Sequence, residues 1–312
     1  MSKVTIVGAG NVGSQAAFYL ALKSIVKEIV ILDIIEGVPQ GKALDLQEAM
    51  PIAGSNVKIT GSNDYSTSKD SEIVVITAGV PRKPGMTRDD LLSINSKIIT
   101  SVVKEVVKHS PNCILIIVTN PLDAMVYKAQ QVSNFPKNRV IGMAGVLDTA
   151  RFRTFIADEL NADVKKVEAL VLGGHGDSMV PVIKSCTVND KPITELLSPE
   201  RIKEIVERVR NGGVEIVNLL KTGSAFFAPG LAIAEMVGTI IQDQKKLLPC
   251  SVLLNGEYGF KEIFMGVPVV LGKDGVEKVV EVSLSDQEKV ALTKSAGHVK
   301  ELIEALNNLK DN

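Results

Sequence analysis

The stretch Gly8-Ala9-Gly10-Asn11-Val12-Gly13 decides how this chain folds. It has the spacing Gly-x-Gly-x-x-Gly, it follows a short apolar run at residues 4–7, and it opens a segment with apolar residues at helical spacing. In that context the glycines permit a tight turn and a close approach of the main chain to a pyrophosphate at a helix N-terminus. The alternative is a glycine turn that serves packing alone, which this context disfavours.

An acidic residue closes the next apolar run. Asp33 follows Gly13 by about twenty residues, where a carboxylate binds the ribose hydroxyls of a dinucleotide. A carboxylate repels a 2′-phosphate, and the next two residues, Ile34 and Ile35, bring no basic side chain. The sequence therefore predicts that NAD is preferred over NADP.

The first half of the chain alternates short β-branched runs with helical patterns. The predicted strands are residues 4–7, 29–32, 57–60, 73–77 and 114–119. The predicted helices are residues 11–23, 40–50, 89–109 and 121–132. Such alternation forms βαβ units with right-handed crossovers, so we expect an α/β protein with a Rossmann-type doubly wound parallel sheet.

After residues 142–145 the regular alternation of strands and helices ends, and helices and antiparallel strands follow in mixed order. A helix is predicted at residues 148–159, followed by antiparallel strands at 167–172 and 179–188 with a turn at 189–192. A long helix at 199–220, interrupted at Gly212-Gly213, precedes a hairpin of strands 267–271 and 276–282. A capping box, Ser285-Asp-Gln-Glu288, opens a last helix that runs to about residue 309. We predict a dinucleotide-binding domain at residues 1–143 and a second, α+β substrate domain at residues 144–312.

Composition excludes several classes of function. The 312 residues carry a net charge of −1 and no dense basic cluster, which argues against nucleic acid and anionic membranes as partners. No apolar run approaches the ~18 residues of a membrane span, and no signal peptide pattern precedes the first strand, so we expect a cytoplasmic protein. The three cysteines and three histidines lack metal-ligand spacing, which predicts buried, reduced thiols and no metal site. A hydrophobic content of 45% also hints at a buried subunit interface.

Two arginines occur six residues apart in the Gly/Pro-rich segment 78–89. Its glycines and prolines disfavour a helix or strand, so we expect a mobile loop after the predicted strand at 73–77. A guanidinium can bind a carboxylate bidentately, so Arg82 and Arg88 suggest a small substrate with more than one anionic or polarisable oxygen. A surface loop with incidental charge is the alternative, and the loop alone does not decide between them.

A histidine lies among glycines in Leu172-Gly-Gly-His175-Gly-Asp-Ser178. Small neighbours allow a ligand to reach the imidazole, which can exchange a proton with a substrate hydroxyl near neutral pH. A structural histidine is the alternative. His109 and His298 illustrate it, since both fall in predicted helices.

Three further polar residues are candidates for the same site. Asp148 is an N-cap candidate for the predicted helix at 148–159, and from the helix mouth it can also orient a protonated His175. Arg151, one turn later, is either a surface cation or projects from the first turn toward the same cavity. Asn120 stands at the end of the predicted strand 114–119, where ligands bind in doubly wound sheets, although a plain turn residue is the alternative.

Taken together, these motifs resemble the NAD-dependent L-lactate/L-malate dehydrogenases over essentially the whole chain. The similarity is greatest to the malate dehydrogenases of the lactate-dehydrogenase-like subgroup. The motifs that carry it are GAGNVG at 8–13, Asp33, AGVPRKPGMTR at 78–88, VTNPLD at 118–123, GVLDTARFR at 145–153 and GGHGDSMVP at 173–181.

The resemblance implies a role for each matching residue. His175 is expected to accept the proton of the 2-hydroxyl, Asp148 to orient it, and Arg151 to bind the C1 carboxylate. The loop at 78–89 is expected to close over the substrate as a lid, which brings Arg88 close enough to polarise the carbonyl oxygen. Asn120 is expected to contact both the substrate and the nicotinamide side of the cofactor. The implied cofactor-binding residues are Gly8, Ala9, Gly10, Asn11, Val12, Gly13, Asp33, Asn95, Val118, Thr119 and Asn120.

Substrate choice turns on the first lid arginine. Malate enzymes of the family have Arg where Arg82 stands, to bind the second carboxylate of oxaloacetate, whereas lactate enzymes typically have Gln. Ala225 agrees, since lactate enzymes usually have Thr there. The resemblance thus implies reversible oxidation of (S)-malate to oxaloacetate, a reaction of the tricarboxylic acid cycle. The alternatives are an L-lactate or broader 2-hydroxy acid dehydrogenase and a non-catalytic NAD-binding sensor.

The resemblance also implies a homo-oligomer. Because the first predicted strand starts at Val4, we expect no N-terminal arm of the kind that some tetrameric lactate enzymes use. Dimer and tetramer therefore both stay open.

Overall fold

A computed structural model describes residues 2–81 and 85–309 of the chain. Its first half builds a parallel sheet from six strands: β1 (Lys3–Val7), β2 (Glu28–Leu32), β3 (Lys58–Ser62), β4 (Ile73–Ile76), β5 (Ile114–Ile117) and β6 (Val140–Gly142). Four helices connect them: α1 (Asn11–Leu22), α2 (Val38–Ala53), α3 (Arg88–His109) and α4 (Leu122–Ser133). The five strands and four helices predicted in this half are confirmed to within a few residues, and β6 is an additional strand.

The strand order across this part of the sheet is β3-β2-β1-β4-β5-β6, and every neighbouring pair is parallel. The order reverses direction between β1 and β4. In doubly wound sheets, the crevice at the carboxyl ends of the strands at such a switch point binds ligands. The predicted Rossmann-type sheet is therefore confirmed.

The five inner strands β1, β2, β4, β5 and β6 are buried on both faces, to which successive side chains point in turn. On β4, Ile73 and Val75 pack in the same cluster as the α1 side chain Leu20, whereas Val74 and Ile76 pack with Leu92 of α3. Each fully buried aliphatic side chain of this size contributes about 1.5–3 kcal/mol to folding. This explains why the strands read as continuous β-branched runs in the sequence.

The second half adds helices and mostly short strands. Its helices are α5 (Gly145–Leu160), α6 (Ile193–Leu196), α7 (Pro199–Leu220), α8 (Phe227–Ile241) and α9 (Asp286–Asn308). Its strands are β7 (Val167–Glu168), β8 (Val171–Leu172), β9 (Val180–Pro181), β10 (Thr187–Val188), β11 (Lys191–Pro192), β12 (Lys246–Asn255), β13 (Lys261–Gly272) and β14 (Gly275–Val279).

The second half continues the sheet of the first. β12, β13 and β14 form an antiparallel meander, and β12 joins β6 through the pair Ser251 and Gly142. Helix α8 packs against α1, and α9 packs against α3 and α4. The loop that follows β8 and the start of α5 lie at the carboxyl end of the parallel strands, where the glycine-rich loop also lies, because His175 in the first is hydrogen-bonded to Asp123 just after β5 and α5 follows β6 directly.

Several predictions for the second half are confirmed. The hairpin of β13 and β14 turns at residues 272–275, as predicted, although β13 begins earlier than expected. The capping box is present, because the Ser285 hydroxyl accepts a hydrogen bond from Glu288 N–H and the Glu288 carboxylate accepts one from Ser285 N–H. The turn at Asn189-Asp190 has both residues at positive φ and joins β10 to β11.

Two predictions for the second half are wrong. Residues 167–172 and 179–188 do not form two continuous strands; each breaks into two-residue strands, of which β8 pairs with β9 and β7 with β10. Helix α7 is not interrupted at Gly212-Gly213 but runs without a break over 22 residues. The sequence patterns also gave no signal for α8 or β12. Across the described residues, no helix is both long and apolar enough to cross a membrane.

Candidate active site

The glycine-rich loop between β1 and α1 leaves no room for side chains at two of its three glycines. Gly8 has φ +112°, and a Cβ there would lie 2.5 Å from the Thr77 hydroxyl. A Cβ on Gly13 would lie 2.0 Å from the Gly8 carbonyl oxygen. By contrast, nothing lies within 4 Å of a Cβ built on Gly10, which is exposed. The loop is thus tight toward the sheet and open toward the crevice.

The start of α1 is suited to an anion. Its N-cap residue, Gly10, has no side chain to accept hydrogen bonds from the first turn, so the N–H groups there are left for a ligand. Asp33 lies beside the loop, and its Oδ2 accepts a hydrogen bond of 2.7 Å from Ala9 N–H. Ile34 and Ile35 follow it with exposed side chains. A pyrophosphate at the glycines and a ribose at Asp33 fit this arrangement, and Ile34 and Ile35 offer no basic group to a 2′-phosphate.

The remaining predicted cofactor residues lie around the end of β5. Val118 is half-buried, Thr119 is buried and donates to the Ala78 carbonyl at 2.7 Å, and Asn120 is exposed. Asn95, on α3, is buried, and its amide group donates to the carbonyls of Asn120 at 2.6 Å and Val80 at 3.1 Å. Asn95 therefore ties the start of the lid segment to Asn120, and its direct contact with a cofactor stays a prediction.

The predicted proton acceptor lies against its predicted partner. The ring nitrogen Nδ1 of His175 is 2.7 Å from Oδ2 of Asp148. Since a carboxylate only accepts, Nδ1 carries the proton and Nε2 has the free electron pair. Among the described residues none is hydrogen-bonded to Nε2, and the His175 side chain is 16% exposed. An acceptor with this orientation can take a proton from a substrate hydroxyl.

The charges around the imidazole favour its protonated form. Burial acts to lower the pKa of His175, but the charge of Asp148, its hydrogen bond and the charge of Asp123 outweigh burial and the nearby Arg151. The net result is a pKa raised above the usual value for histidine. The imidazolium that forms when His175 takes a proton is therefore stabilised where it forms.

Arg151 completes the cluster on α5. Its Nη1 lies 3.3 Å from Oδ1 of Asp148, and its side chain is 15% exposed. The α7 backbone passes close by, since a Cβ on Gly212 would lie 3.2 Å from Cδ of Arg151. Asp148 thus bridges the arginine and His175 with its two carboxylate oxygens, and the guanidinium keeps other donors for a ligand.

Three details differ from the predictions or fall outside the structure. Asp148 is not an N-cap, because α5 begins at Gly145 and places Asp148 within its first turn. Arg88 is not in a loop; it is the first residue of α3, whose start is fixed by a capping box between Thr87 and Asp90. Arg88 is exposed and forms no ion pair with any described residue. Arg82 lies outside the described residues.

One buried acid at the site was not predicted. Asp123, in the first turn of α4, accepts a hydrogen bond of 2.9 Å from the main-chain N–H of His175 and one of 2.7 Å from the Ser251 hydroxyl. The sequence contains it within the VTNPLD motif. Its partners lie far away along the chain, so no local pattern pointed to them.

The three cysteines give no sign of reactivity, and no metal-binding group is found among the described residues. Cys113, Cys186 and Cys250 are buried and free, and burial raises the pKa of the Cys113 and Cys186 thiols to about 12. Their predicted burial is confirmed. Within residues 2–81 and 85–309 no group of three or more His, Cys, Asp or Glu side chains is arranged to hold a metal ion.

Comparison with known proteins agrees with this geometry. Residues 2–142 match the lactate/malate dehydrogenase NAD binding domain, and residues 145–310 match the lactate/malate dehydrogenase alpha/beta C-terminal domain. A malate dehydrogenase of Chlorobium limicola is 56% identical over 96% of each chain, and one of Roseiflexus sp. is 54% identical over 97% of this chain and 98% of its own.

Solved structures show the same fold. The malate dehydrogenase of Salinibacter ruber is 50% identical, with a TM-score of 0.95 over 99% of both chains. The lactate dehydrogenase of Cryptosporidium parvum, solved with lactic acid and NAD, is 41% identical, with a TM-score of 0.96 over 98% of both chains. The chain belongs to the lactate/malate dehydrogenase family.

Proposed function

We propose that the chain is an NAD-dependent malate dehydrogenase that interconverts (S)-malate and oxaloacetate. The observation that carries the proposal is the cluster of His175, Asp148 and Arg151, which lies at the same end of the sheet as the glycine-rich loop. Curated relatives that are 52–56% identical over nearly the whole chain are named malate dehydrogenase. The dinucleotide-binding and substrate domains are assigned to residues 1–143 and 144–312.

Each residue of the cluster has one task in the oxidation of malate. Nε2 of His175 accepts the proton of the C2 hydroxyl, and Asp148 holds the ring through Nδ1 and stabilises the imidazolium. The guanidinium of Arg151 binds the C1 carboxylate, which places C2 at a fixed distance from His175. Arg88 approaches on lid closure and polarises the oxygen on C2, and Asn120 contacts the same oxygen from the end of β5.

NAD is held by the loop at residues 8–13 and by Asp33. When bound, NAD supplies the nicotinamide ring that accepts the hydride from C2. The chain binds its pyrophosphate with the N–H groups of the loop and its adenosine ribose with the Asp33 carboxylate. Val118 and Thr119, at the end of β5, would hold the nicotinamide side of the cofactor. Negative charge at Asp33 also disfavours the 2′-phosphate of NADP.

The fold by itself does not separate malate from lactate, since a lactate dehydrogenase shares it at 41% identity. Arg82 makes the distinction in this proposal, because its guanidinium pairs with the second carboxylate of oxaloacetate. Ala225, in the connection between α7 and α8, supplies no hydroxyl at the position where the resemblance gives lactate enzymes Thr. Pyruvate has a methyl group where oxaloacetate has this carboxylate, so it would leave Arg82 unpaired.

The proposed enzyme is cytoplasmic and a homo-oligomer. Support for assembly comes from exposed apolar side chains on α2 and α8, such as Ile52 and Phe227, which are 91% and 61% exposed. Side chains of this kind are costly to leave in water when they form a continuous face.

Parallel assays of NADH oxidation with oxaloacetate and pyruvate, repeated with NADPH on the better substrate, test the proposal. We expect kcat/KM for oxaloacetate with NADH to exceed that for pyruvate by about 100-fold or more. A preference for pyruvate would contradict the substrate assignment and leave His175 in its role. NADH binding without turnover of any 2-oxo acid would instead identify a non-catalytic sensor.

A further inference from the structure

Asp123 is hydrogen-bonded to the loop between β8 and β9, which carries His175 and is called the catalytic loop below. The proposed function gives Asp123 no role. Its side chain is 3% exposed, and both carboxylate oxygens are hydrogen-bonded: Oδ2 to the main-chain N–H of His175 and Oδ1 to the hydroxyl of Ser251. His175 is thus fixed twice, at its main-chain nitrogen by Asp123 and at its ring by Asp148. Displacing either end moves Nε2 relative to a bound substrate.

The contact also joins three separate elements. Asp123 belongs to α4, His175 to the loop between β8 and β9, and Ser251 to β12. The space is closely filled, because a Cβ on Gly174 would lie 3.3 Å from Oδ2 of Asp123. Gly174 N–H in turn donates to the Ser295 hydroxyl of α9 at 2.8 Å. The catalytic loop is therefore held by consecutive main-chain N–H groups, of which only that of His175 has a carboxylate as acceptor.

The carboxylate of Asp123 differs from that of Asp148 in having no arginine or lysine paired with it among the described residues. Asp148 is paired with Arg151, whereas Asp123 forms no ion pair within residues 2–81 and 85–309. Burial raises the pKa of Asp123, opposed by the hydrogen bonds from Ser251 and His175 N–H and by the charge of His175, while Asp148 adds to the rise. The charged groups that face the imidazole are thus Asp148 and Arg151 from α5 and Asp123 from α4.

We propose that Asp123 is a positioning residue of the reaction, which fixes the main chain of His175 and places a second negative charge near its imidazole. This rests on the proposed role of His175 as proton acceptor and donor. Oxaloacetate reduction needs the imidazolium, so its kcat/KM is full below the pKa of His175 and falls as pH rises through it. Removing a negative charge lowers that pKa and moves the fall to lower pH.

Three variants separate the negative charge of Asp123, its hydrogen bond with His175 and its hydrogen bond with Ser251. Asp123→Asn keeps an oxygen for His175 N–H and an amide donor for Ser251, but removes the charge. Asp123→Ala removes both the charge and the acceptor. Ser251→Ala is the matched control, because it deletes the other hydrogen bond of Asp123 and leaves its charge and its contact with His175.

For Asp123→Asn we expect the midpoint of the pH profile of kcat/KM for oxaloacetate to fall by on the order of one pH unit. Below that midpoint, kcat stays within about threefold of wild type, because the amide preserves the position of the loop. For Asp123→Ala, kcat falls by about 10–100-fold at every pH, with the KM for NADH unchanged. Ser251→Ala keeps the wild-type midpoint.

A second readout does not depend on turnover. The chain has three histidines, so the ring resonances of His175 can be assigned by NMR with His109→Asn and His298→Asn variants and followed against pH. The His175 titration should move to lower pH in Asp123→Asn and stay unchanged in Ser251→Ala. NADH binding by fluorescence identifies the variants that are folded.

The outcomes are distinct. An unshifted His175 titration in folded Asp123→Asn overturns the charge that we assign to Asp123, and an unchanged kcat in folded Asp123→Ala overturns its positioning role. If Asp123→Ala does not fold, the decision falls to Asp123→Asn, whose kcat and titration both have to behave as stated. A wild-type protein that titrates as expected but turns over no 2-oxo acid would instead overturn the proposed function alone.

Discussion

At the scale of single residues, the proposed site combines cations expected to bind the substrate with the carboxylates Asp148 and Asp123, which raise the pKa of His175. Arg151 is fixed by Asp148 at 3.3 Å before any ligand arrives, so its side-chain freedom is largely lost in advance. Arg88 differs from Arg151, since it is exposed and has no ion-pair partner among the described residues. Binding through Arg151 and selection through the lid are therefore separable by mutation.

Substrate choice should change with a single lid residue. Arg82→Gln removes the partner of the second carboxylate of oxaloacetate, and loss of one member of a buried charged pair costs roughly 2–5 kcal/mol. We expect kcat/KM for oxaloacetate to fall by about 30-fold or more and the ratio of pyruvate to oxaloacetate activity to rise. Steady-state assays with both substrates measure this ratio.

A neighbouring substitution controls for the charge of the segment. Lys83→Gln removes one positive charge next to Arg82, and it should leave the substrate ratio unchanged. An unchanged ratio in Arg82→Gln itself would show that the second carboxylate is bound elsewhere.

The individual site residues were predictable where local sequence carries the signal. His175 among glycines and Asp33 after a strand were recognisable from their neighbours alone. Asp123 was not, because an acid in the first turn of a helix is common for its favourable interaction with the helix dipole. Its actual partners, His175 and Ser251, are 52 and 128 residues away along the chain.

At the scale of elements, the first half was predictable and the second half less so, for a physical reason. Buried parallel strands require runs of apolar residues on both faces, and such runs are visible in the sequence at 73–76. Strand β12 contains Pro249, which normally argues against an inner strand. It is tolerated because β12 bonds β6 only at Ser251. Helix α8 is buried over most of its surface, so it shows no amphipathic period.

The glycine pair in α7 was predicted to break the helix, but α7 is continuous and both glycines lie beside Arg151. Gly212 is buried against Arg151, whereas Gly213 is only partly covered, and a Cβ there would lie 3.8 Å from Nη2 of Arg151. Glycine costs a helix about 1 kcal/mol relative to alanine. We infer that Gly212 is kept, despite the lost helix stability, because Arg151 needs the space.

Alanine should affect thermal stability at Gly213 and substrate binding at Gly212. Gly213→Ala is expected to raise Tm by about 2–4 °C without changing KM for oxaloacetate, since its Cβ makes ordinary contacts. Gly212→Ala places a Cβ 3.2 Å from Cδ of Arg151, so the guanidinium has to shift. We expect KM to rise by about three- to tenfold with a smaller change in kcat, because the carboxylate is bound less well throughout the reaction.

Kinetics and thermal unfolding of the two variants together decide the matter. Equal KM values in both would show that Gly212 provides no necessary space for Arg151. A loss of Tm in Gly213→Ala would show that the glycine pair serves backbone geometry instead.

At the scale of the whole molecule, one sheet runs through both halves of the chain. The pairing of β12 with β6 makes nine strands continuous, and the cluster that includes Ile6 and Ile31 also includes Ile233 and Val267. The two halves are therefore not separate in their packing. Their division at residues 143 and 144, which concerns function, stays a prediction. We therefore expect a ligand bound at the end of this sheet to contact residues from both halves.

The faces that the monomer leaves apolar predict how copies assemble. Helices α2, α1 and α8 pack side by side, with Leu44 and Ile52 exposed on α2 and Phe227 and Leu231 exposed on α8. In each helix the two residues are four or eight apart and lie on similar faces. Burying such side chains between two chains gains about 1.5–3 kcal/mol for each that becomes fully covered.

Charge on this surface should dissociate the oligomer. We expect the wild-type protein to have a mass of two or four chains of 33.4 kDa by light scattering after size exclusion, and Leu44→Glu/Ile52→Glu to have the mass of one. Both side chains are exposed in the monomer, so the chain still folds and binds NADH, but uncompensated carboxylates cannot be buried in an interface. Val290→Glu is the control, because Val290 is 71% exposed on α9, which packs on α3 and α4. A monomeric wild type, or a double variant that keeps the wild-type mass, would place the interface elsewhere or remove it.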